Sequence, residues 1–162
     1  MPLMKSTLAQ ELENIFAGEP SSAPDAAMQW AKAYATYASN ALSKAASLPV
    51  NAMAGQGTLV GPFTSAFNSQ TAAGAAGLMT QGIMLFWQTA AWTGPTAAGV
   101  TTVPGNAALA GALTAIFSDL SDKTYADKAS ELADAFDAGA KTVIVSDVPF
   151  VQPAPPIVGP IS

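Results

Sequence analysis

No cysteine, histidine or arginine occurs anywhere in this chain. Each absence removes a class of chemistry. Without cysteine there is no disulfide frame and no thiolate site, a composition that suits a reducing or an oxidising compartment equally. Without histidine, serine and cysteine nucleophiles lack their usual base. Zinc sites lose their nitrogen and sulfur ligands together. Six lysines stand against eleven carboxylates, for a net charge of −5. Such a chain has no basic footprint for nucleic acid and no cluster that would attract anionic lipid heads. Charge of either sign is scarce as well. Charged residues make up 10% of the chain, against about 25% in ordinary globular proteins. Lys44 and Asp119 bracket a long stretch with no charged residue at all.

What remains is apolar and small. Hydrophobic residues make up 50% of 162 positions, and alanine supplies much of that share. The length fits one domain with a continuous core. A free monomer normally covers itself with more charge, for solubility and to break up apolar patches. The shortage therefore implies that neighbouring subunits cover much of this surface.

The spacing of apolar residues predicts a mainly α fold of about five helices. A first helix is expected over residues 7–17, with Thr7 and Gln10 at capping-box spacing and Gly18 at its end. Ser22 and Asp25 repeat the cap spacing and open a second helix, expected to reach residue 47. Its inward face carries Trp30, Tyr34, Tyr37, Ala41 and Ala45. Residues 48–62 read as a loop, broken by Pro49, Gly55, Gly57, Gly61 and Pro62. A long helix over residues 63–91 follows, whose Gly74, Gly77 and Gly82 either weaken it or mark close helix crossings. Residues 92–105 read as a loop with a short extended piece around VTTV. Asn106 is placed to cap a further helix bearing Leu109, Leu113, Ile116, Phe117 and Leu120. The last helix turns Ala129, Leu132, Ala133, Phe136 and Ala140 inward and Asp127, Glu131, Asp134 and Asp137 to solvent. Lys123 and Asp127 are spaced to pair.

Residues 142–145 (TVIV) favour a short C-terminal strand. Its backbone needs a partner: VTTV, GTLV at residues 57–60, or a strand of another subunit. The five prolines from Pro149 to Pro160 make the tail an extended arm. The organisation expected is a helical domain over residues 1–147 and an arm over residues 148–162.

The most apolar passage, GIMLFWQTAAW (residues 82–92), admits three roles. Residues 72–92 are long enough to cross a bilayer, but Gln81 and Gln88 fall within them and no basic cluster flanks either end. A membrane-embedded or membrane-active protein is the alternative reading. The second role is ordinary core, and the third is subunit contact. Core on one side and a neighbour on the other accounts best for so long an uncharged run. The residues expected to anchor packing or an interface are Trp30, Phe86, Trp87 and Trp92, with Val143, Ile144 and Val145 of the strand.

No catalytic, cofactor or metal site is expected. Gly55, Gly57 and Gly61 lack the Lys-Ser or Lys-Thr of a phosphate loop. Asp119, Asp122 and Asp127 lack calcium-loop spacing and read as helix-end charges. Nothing sets two carboxylates across a cleft. A third functional reading is an acidic module that uses the 92–105 loop to bind a small ligand. The first residues, MPLMKSTLAQELENIF, place Glu11 and Glu13 where an export leader would be apolar, so no secretory signal is expected.

The passages YATYASNALSKAAS, FWQTAAWTGPTAAGVTTVPGNAALAGALTAIFSD and ADAFDAGAKTVIVSD resemble, in general pattern, small virion structural proteins of tailed bacteriophages. The resemblance implies a non-enzymatic part of a head, neck, tail or baseplate, assembled in the host cytoplasm. Its partners would be copies of itself or other virion proteins, and it would need no cofactor.

Overall fold

The computed structural model describes residues 3–42, 49–92, 96–102, 105–149 and 157–161. Among the described residues the fold is mainly helical, with six helices and short strands. Helix α1 (Lys5–Gly18) turns Leu8, Leu12 and Ile15 inward. It starts before Thr7, with no side-chain cap at Met4, so the expected capping box there is not used. The left-handed residue that closes it is Glu19 (φ 47°) rather than Gly18.

Helix α2 (Ala23–Ala38) begins as its sequence predicts, with the Ser22 side chain accepting from the Asp25 backbone N–H. It carries much of the core. Ala27, Trp30, Ala31, Ala33, Tyr34, Ala35, Tyr37 and Ala38 are all buried, so most of its circumference is enclosed. It ends at Ala38, short of the expected residue 47; residues 43–48 lie outside the described part of the chain.

The largest correction concerns residues 52–91. Helix α3 (Ala52–Phe67) runs straight through Gly55, Gly57, Gly61 and Pro62, the residues expected to break it. The chain turns at residues 68–71 and helix α4 (Ala72–Thr89) follows, capped by the Thr71 side chain on the Gly74 N–H. The single expected helix over 63–91 is thus replaced by an antiparallel pair. Proline inside a helix costs about 3 kcal/mol, and packing offsets it here. A Cβ on Gly82 would lie 2.8 Å from Cβ of Pro62, so the missing side chain on α4 is the space that Pro62 of α3 occupies. Gly55 makes the equivalent close approach to the Phe86 ring, at 3.0 Å. Tertiary contact overrides local propensity at both crossings.

Helix α5 (Asn106–Ser118) follows, with Gly105 at its N-cap and no side-chain cap. Asn106 is therefore not the cap expected of it. Helix α6 (Tyr125–Ala140) opens with a full capping box between Thr124 and Asp127. Helices adjacent in the chain pack side by side, and α6 closes back on α1. The result is a ring of helices around the α2 aromatics.

The strands lie at one end. Strand β1 (Val50–Asn51) pairs antiparallel with β2 (Ala91–Trp92). Strands β3 (Thr96–Thr102), β4 (Ile144–Pro149) and β5 (Ile157–Pro160) form an antiparallel sheet in the order β3-β4-β5. Val145 sits opposite Val100 on one side and Gly159 on the other. Both edges of β4 are thus filled from its own chain, and of the partners open to it the VTTV segment, at the end of β3, is the one used rather than a neighbour's strand. GTLV is not a partner, because it lies within α3. The end of the proline-rich arm folds back as β5, and Ile161 is buried, its N–H donating to the Val143 carbonyl at 3.1 Å.

Candidate functional site

Two polar contacts cross the core. The Trp87 indole N–H donates to the Tyr34 hydroxyl at 2.8 Å. The Tyr37 hydroxyl donates to Asp137 Oδ1 at 2.8 Å, and Lys141 Nζ donates to Asp137 Oδ2 at 2.7 Å. Burial raises the titration of both tyrosines far above the ordinary phenol range, Tyr37 further because Tyr34 and Asp137 lie close. They therefore stay protonated donors and acceptors. Asp137 is corrected from the solvated face to the interior, 6% exposed. Its neighbours on the face, Asp127 and Asp134, are exposed as expected.

Aromatic rings organise the rest. Trp30 meets Phe16, Phe63, Phe67 and Phe136 edge to face, with centroids 5.2–6.5 Å apart, a geometry favoured by the ring quadrupoles. Phe86 and Trp87 are fully enclosed. Trp30, Phe86 and Trp87, expected to anchor packing or an interface, thus face their own chain. Phe86 and Trp87 therefore serve as packing anchors, while Trp30, also buried, keeps an edge on the surface cavity described below. Val143 is likewise buried and Ile144 half-buried. Trp92 and Val145 hold positions in β2 and β4, and their side chains lie outside what is described. The expected anchors therefore divide between the helical core and the sheet, and they do not gather into one site.

Two surface features went unread in the sequence because each depends on residues far apart in the chain. The first is a distribution of charge. Apart from Asp119 and Asp122, in the turn between α5 and α6, every charged residue among the described ones lies on or beside α1, α2, α6 or β4. The outward side of α3, α4 and α5 carries none. There Gly57, Gly61, Gly77 and Gly111 are exposed, and a Cβ on any of them would meet nothing within 4 Å. Met53 and Leu85 are exposed on the same helices.

The second feature is a cavity of about 320 Å³ where α1, α2, α3, α5 and α6 meet. Phe16, Trp30, Phe67, Ile116, Phe117 and Leu132 form its apolar wall. Lys123 bridges two carboxylates beside it, Asp119 at 2.6 Å and Glu131. Lys123 and Asp127 therefore do not make the expected pair; Asp127 serves the Thr124 cap instead. The Lys123 ammonium and the Ser121 hydroxyl and N–H hold Asp119 well below the usual carboxylate range. Lys128 also lines the cavity, and its side chain makes no ion pair or hydrogen bond among the described residues.

Among the described residues no group of three or more carboxylates is placed to hold a metal ion. No helix among them is long and apolar enough to cross a membrane. Residues 72–92, the segment of the membrane reading, are helix α4 followed by β2. Comparison with protein-family models, with curated proteins and with solved structures gives no match.

Proposed function

We propose that this chain is a non-enzymatic assembly subunit, packed against copies of itself or companion proteins. The setting that its sequence pattern implies is the particle of a tailed bacteriophage. One observation carries the reading: the exposed, charge-free side of α3, α4 and α5 with its four open glycines. A glycine in a helix interior costs about 1 kcal/mol relative to alanine. At Gly82 a neighbouring residue of the same chain occupies the vacated space. At Gly57, Gly61, Gly77 and Gly111 no described residue does so. A helix face without side chains lets another backbone approach closely, and an uncharged face desolvates at little cost. Both properties suit a surface that spends its life covered.

The test places a charge on that face. Gly77→Lys and Gly111→Lys leave the fold intact, because each position is open, and are expected to abolish assembly in sedimentation velocity. Variants that assemble like the parent chain would overturn the reading.

A further inference from the structure

Leu120 is 94% exposed, the most exposed large apolar side chain among the described residues. A single exposed leucine is unremarkable, but this one is held out by a specific turn. Asp119 Oδ1 accepts from the Ser121 N–H at 2.9 Å. Asp119 Oδ2 is gripped by Lys123 at 2.6 Å. With both neighbours tied down, the chain bulges and Leu120 stands at its tip. The residue before it, Asp119, belongs to the wall of the apolar cavity described above. A knob thus stands next to a hole that it does not fill.

The charges around these two features match across, rather than within, a copy. The cavity's carboxylates Asp119 and Glu131 are both satisfied by Lys123. The half-buried Lys128 has no carboxylate partner among the described residues. On the knob, Asp122 is exposed and makes no ion pair among the described residues. We infer that the occupant of the cavity is Leu120 of a second copy, seated against Trp30, Phe67 and Phe117, with Asp122 of that copy paired to Lys128. Because knob and hole flank one turn, a two-fold axis beside it satisfies both copies at once, the usual geometry of a self-complementary contact. This rests on the assembly reading and gives it a named contact, separate from the glycine face.

Sedimentation velocity on the full chain tests the contact. Leu120→Asp is expected to weaken self-association by about tenfold or more, the effect of losing a central anchor. Its circular dichroism and melting should match the parent's, since the side chain is almost wholly exposed. Lys128→Glu should weaken association as well, and adding Asp122→Lys should restore it. A parent chain that assembles while Leu120→Asp assembles equally well would overturn this contact and leave the assembly reading standing. A parent chain that stays monomeric would overturn both. Uptake of octanoate by the cavity of a monomeric chain, seen as shifts at Trp30, would assign the hole to a small amphiphile instead and end the proposal.

Discussion

The Tyr37 hydroxyl and the Asp137 carboxylate meet at 2.8 Å across 100 residues of sequence. The contact ties helix α2 to the last helix α6, and Lys141 also donates to the carboxylate. Hydrogen bonds to a charged group contribute about 1.5–3 kcal/mol, and a buried partner left unpaired costs a similar amount. Tyr37→Phe is therefore expected to lower the urea-unfolding free energy by about 1.5–3 kcal/mol. Tyr125→Phe, at a ring 49% exposed, should leave it unchanged.

Glycines of this chain should respond oppositely to the same substitution. Gly77→Ala adds a methyl group in open space and should stabilise the monomer by about 1 kcal/mol. Gly82→Ala drives a Cβ to 2.8 Å from Pro62 and should destabilise it by about 1–3 kcal/mol through overpacking. Thermal melting of the two variants, side by side, decides the matter.

Stability should fall on the acid side. Asp119, Asp127 and Asp25 are each held below the ordinary carboxylate range: Asp119 by the Lys123 side chain and Ser121, Asp127 by the Thr124 side chain and N–H, Asp25 by the Gln29 side chain and the Ser21 N–H. A depressed carboxylate contributes stability above its unfolded pKa and loses it as pH falls through the folded value. The loss should therefore begin below about pH 4 and deepen as the pH drops further. With no histidine in the chain, the urea midpoint should be flat from about pH 6 to 8. Asp119→Asn should shallow the acid slope.

Ile161 makes the C-terminal end part of the fold. It is 1% exposed, and β5 before it closes one edge of β4. Ile161→Ala should cost about 2–5 kcal/mol, the range for emptying an isoleucine site in a core. Deleting residues 157–162 should cost more, because it also bares a strand edge. Urea titration of both variants checks this.

Much of the helical order is legible in local pattern. The Ser22 cap, the Trp30-Tyr34-Tyr37 stripe and the inward face of α6 depend on residues within a few positions of one another, and each is found where the spacing puts it. The breaks are less legible. Pro62 and Gly55 read as loop because their cost is local while their compensation, the fit to Gly82 and Phe86, comes from the partner helix. Asp137 sits on a face with exposed carboxylates, and only its distance to Tyr37 explains its burial. Neither surface feature could be read for the same reason. The cavity gathers residues from five helices, and the uncharged run becomes a surface only once α3, α4 and α5 lie side by side.

The central claim is that the neutral side of this molecule is covered by other subunits. Native mass spectrometry of the purified chain across a concentration series tests it most directly. The account predicts discrete multiples of 16.3 kDa that grow with concentration and are lost in Gly111→Lys. A single species at 16.3 kDa, unchanged up to the solubility limit, would contradict it.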